Sequence, residues 1–410
     1  VSAAARPGLL HVIGAGAAGL AAALEASRRG ARVVLHEATP QAGGRARALP
    51  DGTDNGTHAL LGANPAALGF LAAIGARDRW VEPEPAALPV YDLATRQLRR
   101  VALSPALWRD RALRPEGLSA RGMLALLGAA LPGRGGSVAA AFARHPALLR
   151  GFVEPLTLAA LNTAPQEATL PRLAAVLRRM ARPGACRLFV ARDGLGPDLV
   201  QPALAALARQ GVEYRPRRRL RALAERDGRA TTLVFSGEDV PLGARDRVIL
   251  ALPPWEAGRL LPGLSVPQRH APILNVHFAR ESVPGLRFIG LLGGLSHWVL
   301  LRPGMASVTI SAAFALQEES QERLAPRLWA ELRQAALAAN LPGPWPEAPP
   351  PCRLVREQRA TPLHDAGLPP PPPPRPLANL ALAGDWLDPA LPATLEAALR
   401  SGLRAARALA

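Results

Sequence analysis

An α/β fold is predicted for this chain, and three observations predict it. A glycine-rich turn, Gly14-Ala15-Gly16-Ala17-Ala18-Gly19, stands between an apolar run at 9–13 and a helix-forming stretch at 20–27. A Val-rich run at 31–36 then closes a βαβ unit at Glu37. The C-terminus repeats the same order, with a strand at 380–383, a turn at Gly384-Asp385 and a helix over 393–409. The 410 residues leave room for two to three core-sized units at about 100–200 residues each.

In the opening unit each glycine has a separate physical task. Gly14 permits the tight turn, Gly16 lets a pyrophosphate approach the backbone at the helix N-terminus, and Gly19 lets helix and strand pack closely. An Ala-rich helix could carry such glycines by itself. The strand before, the helix after and an acid about twenty residues on together select a Rossmann-type dinucleotide site. Glu37, followed by Ala38, is placed to accept hydrogen bonds from a ribose diol, which suits FAD or NAD better than a 2′-phosphate. Gly43-Gly44-Arg45 adds a backbone loop that can approach a phosphate beside a guanidinium.

Further along, residues 88–182 read as helical, broken by Pro105, Pro115, Pro132, Pro146 and Pro155. A second α/β stretch follows, with a helix at 202–210 and strands at 211–214, 220–223, 231–235 and 247–252. Runs at 273–278, 288–292, 298–301 and 307–311 predict an antiparallel sheet, and 318–340 one amphipathic helix. Residues 369–374 read as a polyproline connector on the surface. No second G-x-G-x-x-G occurs, so a built-in nicotinamide-dinucleotide domain is not expected.

Composition narrows the classes further. With 49% hydrophobic and 20% charged residues the chain can bury a core, and its 43 Pro and 37 Gly lack a collagen period. Cys186 and Cys352 leave no disulfide framework and no Cys-based metal site, which suits a reducing compartment. No metal ligand set is expected. Residues 1–10 carry only Arg6 and read as leading into the first strand, so no export is expected; no apolar run is long enough to span a bilayer. The net charge of +17 comes entirely from arginine. GC-biased coding would produce this without selection. Nucleic acid is not an expected partner, because the arginines are scattered and aromatics are 4%. An anionic membrane surface stays open, since Arg109, Arg111, Arg114, Arg121 and Arg134 flank an apolar segment at 123–131.

Four separated segments resemble one superfamily. The G-x-G-x-x-G opening with Glu37, the Gly43-Gly44-Arg45 loop, Asp54-Asn55-Gly56, and Ala383-Gly384-Asp385 with Pro392-Ala393-Thr394-Leu395-Glu396 are similar to the FAD-dependent amine oxidases and phytoene desaturases. Within it, Thr57-His58-Ala59-Leu60-Leu61-Gly62, Glu154-Pro155-Leu156 with Leu161-Asn162-Thr163, Arg356-Glu357-Gln358-Arg359-Ala360-Thr361 and Leu391-Pro392-Ala393-Thr394 resemble the squalene-associated FAD-dependent desaturases, also called hydroxysqualene dehydroxylases. Thr57, Asn64 and Leu387 depart from that family's pattern.

The resemblance implies a glutathione-reductase-like FAD-binding domain built from 8–75, 185–252 and 376–410. An interleaved α+β substrate domain would span 76–184 and 253–375, with a membrane-docking segment at 105–135. It implies non-covalent FAD held at Gly14 through Gly19, Glu37, Ala38, Gly44 and Arg45. Leu220 would meet the adenine, Gly384 and Asp385 the phosphate and ribitol, and Gly56, Thr57, Ala393, Thr394 and Leu395 the flavin ring. The implied chemistry is reduction of the allylic alcohol hydroxysqualene to squalene, with an external electron donor, in a cytoplasmic protein lying peripherally on the inner membrane face.

Such a reaction needs an acid to protonate the leaving hydroxyl. His58 is the first candidate, Glu154 the second, and Asn162 and Thr163 would orient the hydroxyl or a water. Each has a structural alternative: a backbone hydrogen bond, a salt bridge or a helix cap. Asp388 is expected as a solvated turn residue, and His277 and His297 as packing or surface groups. A polyprenyl desaturase, an amine oxidase and a non-catalytic flavin scaffold share the fold and stay open.

Overall fold

The computed structural model describes residues 8–84 and 87–409. The first seven residues, including Arg6, lie outside that description. Five parallel strands form the central sheet in the order Leu380–Leu382, Arg247–Leu250, Leu9–Ile13, Arg32–His36, Glu213–Arg215. Such a sheet buries both faces, so its strands read as near-continuous apolar runs. Leu10, Val12 and Leu35 pack under the helices Ala17–Arg28, Gln201–Arg209 and Leu395–Leu409. On the other face Ile13, Val248, Leu250 and Leu382 meet a three-stranded meander, Leu220–Arg226, Arg229–Phe235 and Glu238–Pro241.

The second sheet has seven strands in the order Cys352–Pro362, His270–Ala279, Met305–Ser311, Trp298–Arg302, Arg287–Leu292, Leu88–Asp92, Gln97–Val101. Helix Gln321–Ala338 covers one face through Leu324, Leu328, Trp329 and Leu332. The four expected strands pair antiparallel with one another; of the three strands that join them, Leu88–Asp92 pairs parallel with Arg287–Leu292, whereas Gln97–Val101 and Cys352–Pro362 add antiparallel.

Residues 88–182 open differently from the helical expectation. Leu88–Asp92 and Gln97–Val101 form a hairpin, because Asp92 Oδ1 accepts from the Ala94 and Thr95 amides at 2.9 and 3.2 Å and Arg96 takes a left-handed φ of 57°. Only from Ala120 on does a helical layer form, through Ala120–Ala130, Glu154–Leu161 and Leu170–Met180. A π-helical turn, Leu149–Val153, feeds the second of these.

The first and last long helices pack at backbone distance. A Cβ on Gly402 would overlap the Ala18 carbonyl oxygen, and one on Gly19 would overlap that of Gly14. Gly402→Ala should therefore lower unfolding free energy by about 1–3 kcal/mol, read as a lower urea midpoint with unchanged slope.

Candidate active site

Three chain segments meet at the carboxyl edge of the parallel sheet, where α/β sheets place their ligands. Glu37 follows the strand Arg32–His36, is buried, and accepts from the Ala15 amide at 2.8 Å and from Thr39 N and Oγ1 at 2.9 and 2.8 Å. Its carbonyl accepts from the Arg218 amide, which draws the buried Leu220 toward the same edge; the Leu220 carbonyl is bonded by Arg259. Gly14 takes φ +101° and is packed against Ala251, whereas a Cβ on Gly16 would meet nothing nearer than Gly44 Cα at 4.0 Å. The turn thus has two glycines that pack and one that faces open space, with Ala15, Ala17 and Ala18 at or inside the helix start. That cradle fits a pyrophosphate. Gly43 and Gly44 run beside it with φ of 113° and 56°.

Arg45 ties this edge to the C-terminal segment. Its Nη2 donates to Asp385 Oδ1 at 2.6 Å and its Nη1 to the Ala360 carbonyl at 2.6 Å. Asn55 Nδ2 reaches Glu357 Oε2 at 3.1 Å and the Arg45 carbonyl at 3.2 Å. Ala383 ends the last strand run, and the Gly384 amide donates to Ser401 Oγ at 3.1 Å. Thr394 caps the helix Leu395–Leu409 by accepting from the Ala397 amide at 3.3 Å, so that helix points its N-terminus out of the same edge.

The loop between Asp385 and Thr394 is held by buried polar groups. Asp388 is buried rather than solvated: its Oδ1 accepts from the Ala390 and Leu391 amides at 3.1 and 2.9 Å. Arg172 donates to the Asp388 and Leu391 carbonyls at 2.9 and 2.7 Å, and the Ala393 amide donates to His364 Nε2 at 3.0 Å. Burial, with Arg172 beside it, pushes the His364 pKa down to about 3. His277 and His297 are likewise depressed by burial, to about 4, within the second sheet.

The acid candidates separate under this geometry. His58 Nδ1 lies 3.1 Å from the Gly56 carbonyl, which makes Nδ1 the protonated nitrogen of a neutral ring, and burial moves its pKa below the ordinary value. Glu154 is half-buried at the start of its helix, and desolvation raises its pKa against the opposing Arg150. Asn162 caps that helix at φ +49°; its amide nitrogen donates to the Ala271 carbonyl and Thr361 Oγ1 at 3.1 Å, and its oxygen accepts from the Ala312 amide at 2.7 Å. Thr163 Oγ1 donates to the Leu161 carbonyl at 3.0 Å and accepts from the His364 amide at 3.1 Å. None of these four side chains lines the main cavity.

That cavity, about 280 Å³, extends from Thr57, Thr309, Ser311 and Thr394 between the second sheet and the helical layer. Its walls are apolar, with Leu60, Val90, Phe152, Leu156, Met180 and Phe288 among them. Besides the amide of Asn64, two charged residues line it on the helical side: Arg179 and Glu396. Sequence reasoning missed both, and it missed Asn275, a buried strand residue that accepts from Thr309 Oγ1 at 2.7 Å and stands 3.0 Å from where a Cβ on Gly56 would be. It also left unassigned the partner of Asp54, whose carboxylate is buried between the Leu195 amide at 2.7 Å and Arg302 at 3.1 Å. Single Asn, Arg, Glu and Asp residues carry no local signal of the partners that the fold gives them.

The flavin containing amine oxidoreductase family model matches residues 17–294 and 319–410. A hydroxysqualene dehydroxylase of Rhodopseudomonas palustris is 40% identical over 97% of both chains. One of Sinorhizobium fredii is 36% identical over 98% of both. Among solved structures, cyclohexylamine oxidase from Brevibacterium oxydans superposes with a TM-score of 0.70 over 98% of both chains at 16% identity, a likeness of fold.

Below pH 6.5 the unfolded chain protonates its histidines while buried His364 stays neutral down to about 3. Unfolding free energy should therefore fall with pH through that window, by about 1.4 kcal/mol per pH unit for this one residue. Urea midpoints at pH 7.5, 6.0 and 5.0 test it: His364→Gln should show the shallower fall.

Proposed function

Because the chain belongs to the hydroxysqualene dehydroxylase family of flavin-containing amine oxidoreductases, we propose that it is an FAD-dependent oxidoreductase converting hydroxysqualene to squalene. The observation that carries the reading beyond family membership is the apolar cavity that opens at Thr57 and Thr394, where a flavin ring would sit. A polyprenyl chain gains about 0.8 kcal/mol per buried methylene in such walls. An amine substrate would ask for a free carboxylate, and the one that lines the cavity, Glu396, is already held by the Ala67 amide and Arg179.

The reaction breaks the allylic C–O bond, forms a C–H bond, and releases the hydroxyl as water, consuming two electrons and two protons. FAD bound in its reduced form would supply the hydride, and an external donor would restore it. In this reading Gly14 through Gly19 receive the pyrophosphate, Glu37 and Ala38 border the ribose, and Leu220 borders the adenine. Gly44, Arg45, Gly384 and Asp385 flank phosphate and ribitol, while Gly56, Thr57, Ala393, Thr394 and Leu395 frame the ring. The helix N-terminus at Thr394 favours negative charge beside it.

Among the acid candidates the reading favours Glu154. Desolvation raises its proton affinity, the direction a general acid needs; its sequence neighbours Phe152 and Pro155 line the cavity while its own carboxyl does not, so the role asks that side chain to turn inward. Neutral His58 shapes the loop at the ring edge. Asn162 and Thr163 hold helix and strand together beneath the cavity floor.

An anionic membrane surface is the proposed source of substrate. Helix Ala120–Ala130 buries Leu126 and Ala129 against the helical layer yet leaves Leu124, Leu127 and Leu131 at 69%, 59% and 59% exposure. Arg109, Arg111, Arg121 and Arg134 are exposed around it, so leucines can enter the acyl boundary with guanidiniums at headgroup level. No helix among the described residues is long and apolar enough to cross a membrane.

Two measurements test these statements. Anaerobically reduced holoenzyme mixed with hydroxysqualene should reoxidise its flavin as squalene appears, and the oxidised form should leave the alcohol unchanged; a flavin that stays reduced overturns the assignment. Binding to phosphatidylglycerol-containing liposomes should exceed binding to neutral ones, weaken with salt, and fall when Arg121 and Arg134 become Glu.

A further inference from the structure

We propose that Arg179 holds the hydroxyl of the substrate inside the apolar cavity, with Glu396 as the residue that positions it. The inference rests on the reading that the substrate is a polyprenyl alcohol. It starts from an imbalance in the cavity wall. Apolar pockets that bind one ligand in one orientation do so through a few fixed polar groups. Apart from the hydroxyls of Thr57, Thr309, Ser311 and Thr394 and the amide of Asn64, whose oxygen accepts from the Leu61 amide, the polar groups that line this cavity are the charged pair Arg179 and Glu396.

The pair is built rigidly. Glu396 lies in the first turn of the helix that Thr394 caps, so it stands within one turn of the ring end of the cavity. Its side chain is 2% exposed; Oε2 accepts from the Ala67 amide at 2.8 Å and Oε1 faces Arg179 Nη1 at 3.4 Å. The same Nη1 donates to the Ala63 carbonyl at 3.2 Å. Among the described residues only Nη1 of this guanidinium is engaged, while the side chain keeps 23% exposure. The remaining N–H donors are therefore left for a ligand oxygen. A guanidinium beside an apolar wall is costly unless its donors are used. An alcohol oxygen uses them; a hydrocarbon product cannot. The asymmetry would retain the alcohol and release the product.

Equilibrium binding to oxidised holoenzyme, read by perturbation of the flavin spectrum, tests this without turnover. Wild type should bind hydroxysqualene more tightly than squalene. Arg179→Leu should weaken the alcohol by at least tenfold and leave squalene unchanged, and Glu396→Gln should move the same ratio partway while keeping an acceptor for the Ala67 amide. Arg179→Gln, checked for flavin content and melting temperature, serves as the second variant if the leucine protein does not fold. An unchanged alcohol-to-hydrocarbon ratio in the folded variants, or an equal loss for both ligands, overturns the proposal. Failure of the parent reading looks different: wild type would bind the alcohol, yet its reduced flavin would not reoxidise.

Discussion

The backbone contact between the first and last long helices governs much of this molecule. Gly402 lies so close to Ala18 that neither position tolerates another side chain between them, and Gly19 is pressed equally hard onto Gly14. These contacts set helix Ala17–Arg28 and helix Leu395–Leu409 side by side on one face of the parallel sheet. Both therefore present their N-termini at the same carboxyl edge. Residues far apart in the chain, Arg45 with Asp385 and Arg45 with Ala360, become neighbours at that edge.

The open edge is then completed by buried polar groups that tie distant segments together. Arg45 with Asp385, Asp54 with Arg302 and Arg172 with the 388–391 backbone each bind one segment to another. Breaking one partner of a buried pair leaves the other uncompensated, a far larger cost than the net worth of the pair. The arrangement thus fixes the loop that carries Pro389 and Pro392 in one conformation. His364 belongs to this set: its neutral ring accepts the Ala393 amide at the place where the last helix begins.

Beyond that edge the chain changes character. The cavity is walled by Leu, Val, Phe and Met drawn from both the second sheet and the helical layer, and the outward face of helix Ala120–Ala130 is apolar as well. Apolar side chains thus occur on both sides of this layer, inside against the cavity and outside toward solvent. Arg179 and Glu396 are the fixed charges on the helical side of that apolar interior.

Local patterns in the sequence determined the parallel unit and its ligand-facing edge. The glycine spacing, Glu37 and the C-terminal Gly-Asp turn all act within a few residues of themselves, through φ, cap and close-approach requirements that only certain residues meet. Four strands of the second sheet were legible as short apolar runs, while Leu88–Asp92, Gln97–Val101 and Cys352–Pro362 were not. Pairing between distant strands was not: the parallel contact of Leu88–Asp92 with Arg287–Leu292 depends on an Asx turn and on which edge was free. Nor did local pattern reveal that Asn162 and Thr163 spend their hydrogen bonds on strands and loops elsewhere in the chain, that Asp388 is buried, or that Arg179 meets Glu396. Those facts belong to tertiary structure, because a side chain's partners are chosen by the packing of elements far away in sequence.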